Sequence, residues 1–217
     1  MNKEQFIAET KKLGINLTEE QLNKLDQFYN LLIEWNEKIN LTRITAKEDV
    51  YLKHFYDSLT LAKVIDLSTK ETLCDVGTGA GFPGIVLKIV YPNLKITLVD
   101  ALQKRVNYLN TIIKDLHLEN IQAIHTRGED LHDKYDVVTA RAVANIEKLL
   151  KYTMHLVNNT GVFVAMKGNI DNELTPEIEN KISKKYQILK IEKFELPIEN
   201  SQRSLIVIKT KSNKKHK

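Results

Sequence analysis

Residues 74 to 84 read Cys-Asp-Val-Gly-Thr-Gly-Ala-Gly-Phe-Pro-Gly, with glycine at 77, 79, 81 and 84. Without a Cβ, such a backbone adopts positive φ freely and lets its N–H groups touch a ligand. Between a strand and a helix N-terminus it forms a cradle for a nucleotide-like molecule. Two patterns overlap there. Gly79, Gly81 and Gly84 fit the dinucleotide fingerprint GxGxxG, which leaves a nicotinamide-dependent reductase open. Gly77, Gly79 and Gly81, with Asp75 ahead of them, fit the DxGxG pattern of Rossmann-like methyltransferases that bind S-adenosylmethionine. Asp75 favours the second pattern, because a carboxylate there repels a pyrophosphate yet can hold a methionine ammonium, directly or through water.

Further groups stand where a cleft at the sheet's carboxyl edge would use them. Asp100 ends "KITLVD", the place where an acid accepts hydrogen bonds from ribose hydroxyls. Gly128, Glu129 and Asp130 follow the next strand, where a backbone amide and a side chain could meet an adenine edge. Arg141 and Lys167 each end a strand and are candidates for substrate phosphate or guanine O6, with Arg141 also near the cofactor. Arg203 opens the last strand and is a further candidate. His54, Asp57 and Ser58, spaced i, i+3 and i+4, are expected on one helix face, apart from Leu52, Phe55 and Leu59. They form either a polar cluster facing the cleft or a local His–Asp pair. Lys38, Arg43, Lys47 and Lys53 could track RNA phosphates or simply be solvated. No metal-ligand set stands out.

The elements that must position these groups can be read from periodicity. Thr18 and Gln21 form a capping box ahead of Leu22, Leu25, Phe28, Leu32, Trp35 and Ile39, spaced by three and four as on one amphipathic helix. A shorter helix around Phe6, Ile7, Thr10 and Leu13 should stop at Gly14. Another should begin with a capping box from Thr45 to Glu48 and carry Leu52, Phe55, Leu59 and Ala62. From residue 72 short β-rich runs alternate with helical ones: "TLCDVG", "KITLVD", "IQAIHT", "YDVVTARA" and "GVFVAMKG". Pro83 suits the first turn of the helix after the glycine loop. The alternation predicts a parallel sheet with helices on both faces, and "KYQILKIEKFEL" and "RSLIVIKTK", with no helix between them, predict an antiparallel end. The expected division is a helical cap over residues 1–66, packed on a Rossmann-like core over 67–210, with a basic tail at 211–217.

A length of 217 residues, 42% of them hydrophobic, suffices for a core that folds alone. No run approaches the roughly 18 apolar residues of a membrane span, and the charged N-terminus does not resemble a signal peptide. A cytoplasmic monomer with no membrane partner is expected. The single cysteine, Cys74, excludes a disulfide framework and should be buried and inert. The net charge of +4 overstates any affinity for nucleic acid, since the last nine residues hold five lysines and removing them leaves −1. That tail is either solvated ballast or a non-specific RNA contact.

Together, "LTRIT", "KHFYDSL", "CDVGTGAGFPGI", "LVDALQKRVNYL", "VVTARAVA", "AMKG" and "RSLIVIK" closely resemble the small-subunit ribosomal RNA methyltransferase G family, also called glucose-inhibited division protein B. The resemblance spans nearly the whole chain. It implies a class I α/β fold with a mostly parallel seven-stranded sheet. It also implies S-adenosylmethionine as methyl donor and N7 of one guanine in a decoding-region loop of bacterial 16S ribosomal RNA as acceptor. The family's cofactor contacts carry over onto Gly77, Phe82, Gly128, Glu129 and Arg141. The chain departs from the family at Gly128, where other members carry different small or apolar residues, a change that a backbone contact survives.

The fourth strand's exit agrees with that acceptor. A (D/N)PP(Y/F) loop, usual in enzymes that methylate exocyclic amines, is replaced by "TARAVA", and no cysteine stands near the acceptor for attack on cytosine C5. Guanine N7 offers an in-plane lone pair and no proton, so alignment can do most of the work without a general base. Another RNA or acceptor atom, and a non-catalytic ribosome-binding module, are the remaining alternatives.

Overall fold

The computed structural model describes residues 1–211; most of the basic tail, residues 212–217, lies outside the described residues. Helix α1 (Lys3–Lys12) is closed at its start by a reciprocal Asn2–Gln5 capping box and stops before Gly14, at φ +79°. Helix α2 (Glu19–Ile39) has the expected box between Thr18 and Gln21. It buries Leu22, Leu25, Phe28 and Leu32.

The third helical segment departs from expectation. No side chain caps it: Ala46 stands at the N-cap and the Thr45 carbonyl accepts the Tyr29 hydroxyl instead. A single turn of α3 (Lys47–Val50) widens into a π-helical turn over Tyr51–Tyr56, then α4 (Asp57–Leu59) and a 3-10 turn over Thr60–Lys63. The π turn inserts extra arc, as such turns often do at functional sites. It places Leu52, His54, Phe55, Asp57 and Ser58 all inside the protein, so the expected separation into a polar and an apolar face is not found. Ser58 is fully buried, with Oγ donating to the His54 carbonyl, and His54 makes no hydrogen bond to Asp57.

The sheet comprises β1 (Thr72–Val76), β2 (Lys95–Asp100), β3 (Ile121–His125), β4 (Tyr135–Arg141), β5 (Val157–Lys167), β6 (Tyr186–Glu195) and β7 (Gln202–Thr210), ordered β3-β2-β1-β4-β5-β7-β6. Strands β1 to β5 pair in parallel, and β7 runs antiparallel between β5 and β6. The antiparallel end is as expected; the insertion of the last strand between its two predecessors could not be read from the sequence. Helices α5 (Gly84–Val90), α6 (Gln103–Asp115), α7 (Ile146–Thr153) and α8 (Pro176–Ser183) complete the layers. Pro83 stands at the N-cap of α5, one residue before its first turn.

Strand alternation sorts the core into two layers. Leu73, Val137, Val164, Met166, Leu205 and Val207 face one hydrophobic cluster together with α5, α6 and the N-terminal helices. Cys74, Val138, Ala140, Phe163, Ala165 and Ile206 face the other with α7 and α8. The N-terminal helices are thus joined to the sheet by one continuous core. An aromatic cluster lies behind the glycine loop, where Phe82 meets Phe28 at 5.4 Å and Phe28 stacks on Phe55 at 5.6 Å between centroids. Each buried ring contributes about 2–3 kcal/mol of hydrophobic stabilisation.

Candidate active site

The carboxyl edges of the parallel strands meet the N-terminal helices around a cleft of about 610 Å³. The glycine loop forms one side. Gly77 and Gly79 hold φ of +73° and +60°, strained for any residue with a Cβ. A Cβ on Gly77 would approach Val143 to 2.7 Å, whereas one on Gly79 would meet nothing, so the second glycine leaves its backbone open to a ligand.

Two carboxylates shape this loop from below. Asp75 is fully buried and outside the cleft lining; its Oδ2 accepts the Gly84 N–H at 2.9 Å, fixing the start of α5. Burial raises its pKa to about 6, against the pull of the nearby Thr78 hydroxyl, the Gly84 amide and Arg141. Asp75 Oδ1 and the Thr78 hydroxyl, the latter on the cleft wall, are both buried without a well-formed hydrogen bond. An orphaned carboxylate oxygen behind an orphaned hydroxyl fits a cationic ligand group. Asp100 accepts the Gly79 N–H at 3.0 Å and Arg105 Nη1 at 3.3 Å on Oδ2, and the Leu102 N–H at 2.9 Å on Oδ1. Each oxygen has two lone pairs, so Oδ1 keeps one for a ribose hydroxyl.

Across the cleft, Asp57 joins three distant segments. Its Oδ2 accepts Arg141 Nη1 and its Oδ1 accepts Arg203 Nε, both at 3.1 Å. Arg141 Nη1 also donates to the Lys53 carbonyl at 3.1 Å, and Arg203 Nη1 to the Gln202 carbonyl at 2.9 Å. The strand register supports this meeting, since Arg141 pairs with Met166 on β5 and Met166 with Leu205 on β7. His54 stacks on Phe82 with centroids 4.4 Å apart, and its Nδ1 lies 3.3 Å from Arg141 Nη2. Its Nε2 lies 2.9 Å from the Thr42 hydroxyl. Burial, then the Arg141 charge, lower the His54 pKa to about 3, so the ring is neutral at pH 7. Nδ1 also lies 3.1 Å from the Lys53 carbonyl, so both ring nitrogens are engaged whichever of them carries the proton.

The remaining candidates are distributed unevenly. Lys167 lines the cleft but bonds Glu173 Oε1 at 2.8 Å and the Ala144 carbonyl at 2.5 Å. Gly128, Glu129 and Asp130 form a 3-10 turn beyond β3, outside the cleft lining, with Glu129 exposed. A Cβ on Gly128 would press on Val76 at 2.7 Å and the Tyr152 carbonyl at 3.0 Å, so a larger residue there needs those neighbours to shift. Lys38, Lys47 and Lys53 are paired with Glu34, Asp26 and Asp49, and Lys53 with Glu199 as well. Arg43 is exposed and makes no ion pair among the described residues. Cys74 is buried in the sheet, where desolvation pushes its thiol pKa up. Sequence reasoning missed Thr78, Arg105, Thr42 and Glu173. The first three sit inside motifs already singled out, whereas Glu173 lies in the polar run "NIDNEL", which carries no signal of its own.

The profile of the family described as rRNA small subunit methyltransferase G matches residues 21–206. The chain belongs to that family. A family member from Bacillus licheniformis, named ribosomal RNA small subunit methyltransferase G, is 46% identical over 221 residues, covering 98% of this chain and 92% of its own length. The Bacillus subtilis protein of the same name is 43% identical over 220 residues, with the same coverage. Solved structures extend the likeness of fold beyond the methyltransferase G family. Mitomycin 7-O-methyltransferase MmcR aligns with a TM-score of 0.60 at 12% identity, over 84% of this chain and 60% of that one. A precorrin-6y C5,15-methyltransferase from Geobacter metallireducens aligns at 0.51 and 17%, over 72% and 87%. Among the described residues, no helix is long and apolar enough to cross a membrane.

Proposed function

We propose that this chain transfers the methyl group of S-adenosylmethionine to N7 of one guanine in 16S ribosomal RNA, within the small ribosomal subunit or its precursor. The observation that carries the reading is the convergence of the glycine loop, Phe82 and Arg141 on one cleft in which His54 and Asp57, the titratable groups beside Arg141, are both already engaged. His54 is held neutral with both ring nitrogens engaged, and each Asp57 oxygen is bound to an arginine. An acceptor without a proton to lose suits such a site.

The cofactor, when bound, supplies an electrophilic methyl carried on a sulfonium. Gly79 and Gly77 let the backbone approach it, Thr78 with Asp75 behind it favours its ammonium, and Asp100 takes its ribose. The Gly128–Glu129 turn flanks the adenine from the β3 side. Arg141 and Arg203, held at fixed angles by Asp57, orient the RNA so that the guanine lone pair lines up with the methyl, which is where the rate acceleration originates. Lys167 donates toward the same base.

The test uses small subunits and free 16S RNA from a strain lacking this activity, incubated with the protein and labelled S-adenosylmethionine. Label in 7-methylguanosine at one position supports the reading. Label in another nucleoside refutes the acceptor atom, and no label in either substrate refutes catalysis on this RNA.

A further inference from the structure

Of the cleft's two carboxylates, Asp57 is committed to two arginines, but Glu173 is not fully used. Glu173 Oε1 accepts both Lys167 Nζ at 2.8 Å and the Ile146 N–H at 2.5 Å, while Oε2 makes no hydrogen bond among the described residues. Lys167 Nζ spends one of its three N–H donors on Glu173 and one on the Ala144 carbonyl. One donor and one acceptor therefore stand side by side, uncommitted, on the cleft wall. The side chains are 9% and 26% exposed, held in place yet reachable. Their bonds to Ala144 and Ile146 also pin the loop from β4 to α7, so the pair is set before any substrate arrives.

We propose that Lys167 and Glu173 read the acceptor base, a step that rests on the guanine-N7 assignment above. Next to N7, guanine presents the O6 acceptor and then the N1–H donor; adenine presents the N6 donor and then the bare N1 acceptor. The free ammonium N–H complements O6 and the free Glu173 oxygen complements N1–H. Adenine in the same pose sets donor against donor and acceptor against acceptor. A desolvated site left with unpaired polar groups rejects the wrong ligand far more strongly than a merely loose fit does. Glu173 is thus a specificity residue, whereas Arg141 and Arg203 orient the strand whatever base it carries.

The experiment compares the full-length protein with Glu173→Gln on small subunits rebuilt with 16S RNA carrying either guanine or 2-aminopurine at the target position. 2-Aminopurine keeps N7 but lacks O6 and has a bare N1. Glutamine retains an acceptor for Lys167 and Ile146 and turns an N–H toward the base. On guanine, kcat/KM should fall about 10- to 100-fold. On 2-aminopurine it should hold or rise, with S-adenosylhomocysteine affinity unchanged. An equal fall on both bases, or no fall on either, overturns the proposal and leaves Glu173 a loop anchor. If the wild type forms no 7-methylguanosine on guanine subunits although it binds S-adenosylhomocysteine, the guanine-N7 reading fails, and the base-reading role with it.

Discussion

The two halves of the cleft are built in opposite ways. The cofactor half is local in sequence: residues 75 to 84 make the loop, and Asp100 at the end of the neighbouring strand braces it through the Gly79 N–H. The acceptor half is assembled at long range, with Asp57 bonded to Arg141, 84 residues away, and to Arg203, 146 residues away. A contiguous loop can be specified by glycines at fixed spacing. A three-segment ion cluster exists only when cap, central strand and last strand are all in place. Damage to the first half should therefore appear chiefly in cofactor affinity, and damage to the second in stability and RNA-dependent turnover together.

The sharpest break in that contrast is Asp57→Ala. Removing the carboxylate leaves two guanidiniums close together, with side chains 15% and 23% exposed. Loss of one partner in a buried cluster costs about 3 kcal/mol, which urea denaturation would resolve. Turnover should fall with it, while S-adenosylhomocysteine binds normally to the folded fraction.

Protonation of His54 probes the same half through pH. The folded pKa lies below the ordinary value of 6.5, so as pH falls below 6.5 the unfolded chain takes the proton first. Stability conferred by the neutral ring is complete above that value and is lost progressively toward about pH 3. Between pH 7 and 5 this removes about 2 kcal/mol. The denaturation midpoint of His54→Gln should lack that component of the acid dependence.

Gly77→Ala addresses the cofactor half. A residue with a Cβ at φ +73° is strained by about 1–2 kcal/mol, and the new methyl comes within 2.7 Å of the Val143 side chain. Isothermal titration should show S-adenosylhomocysteine binding weakened about tenfold, with RNA affinity unchanged. The smallest effect is expected outside both halves. Arg43→Ala, removing an exposed cation next to the cleft residues Thr42 and Ile44, should reduce the salt slope of RNA binding by about 1 without altering stability. Lys38→Ala, whose amine already pairs with Glu34, should change neither.

What could be read from the sequence follows the same division. The glycine loop, the strand-end positions of Asp100, Arg141, Lys167 and Arg203, and the antiparallel end all obey local rules of spacing and periodicity. The segment from Thr45 to Lys63 did not, because a helix of regular pitch was assumed and tertiary packing of Phe55 against Phe28 is accommodated by a π turn. That single change of pitch moves His54 and Asp57 from an expected polar face into the interior. Asp75 shows a subtler gap. Its motif marks it for a methionine ammonium, directly or through water, and says nothing of the second task the structure shows, which is to hold the Gly84 N–H under the loop. Glu173 was invisible because only the folded chain brings "NIDNEL" against Lys167.

The position of β7 bears on how the protein is made. Arg203 lies on the last strand of the chain, and that strand must slot between β5 and β6, both of which leave the ribosome before it. A nascent chain can thus form its cofactor loop while the edge of β5 is still open and Asp57 holds only one of its two arginines. Until β7 has emerged, the edge of β5 that ends up inside the sheet is unpaired, a hazard for aggregation. The acceptor half is therefore complete only once β7 is in place, and a variant cut before Gln202 would lose the Asp57–Arg203 bond while sparing the glycine loop.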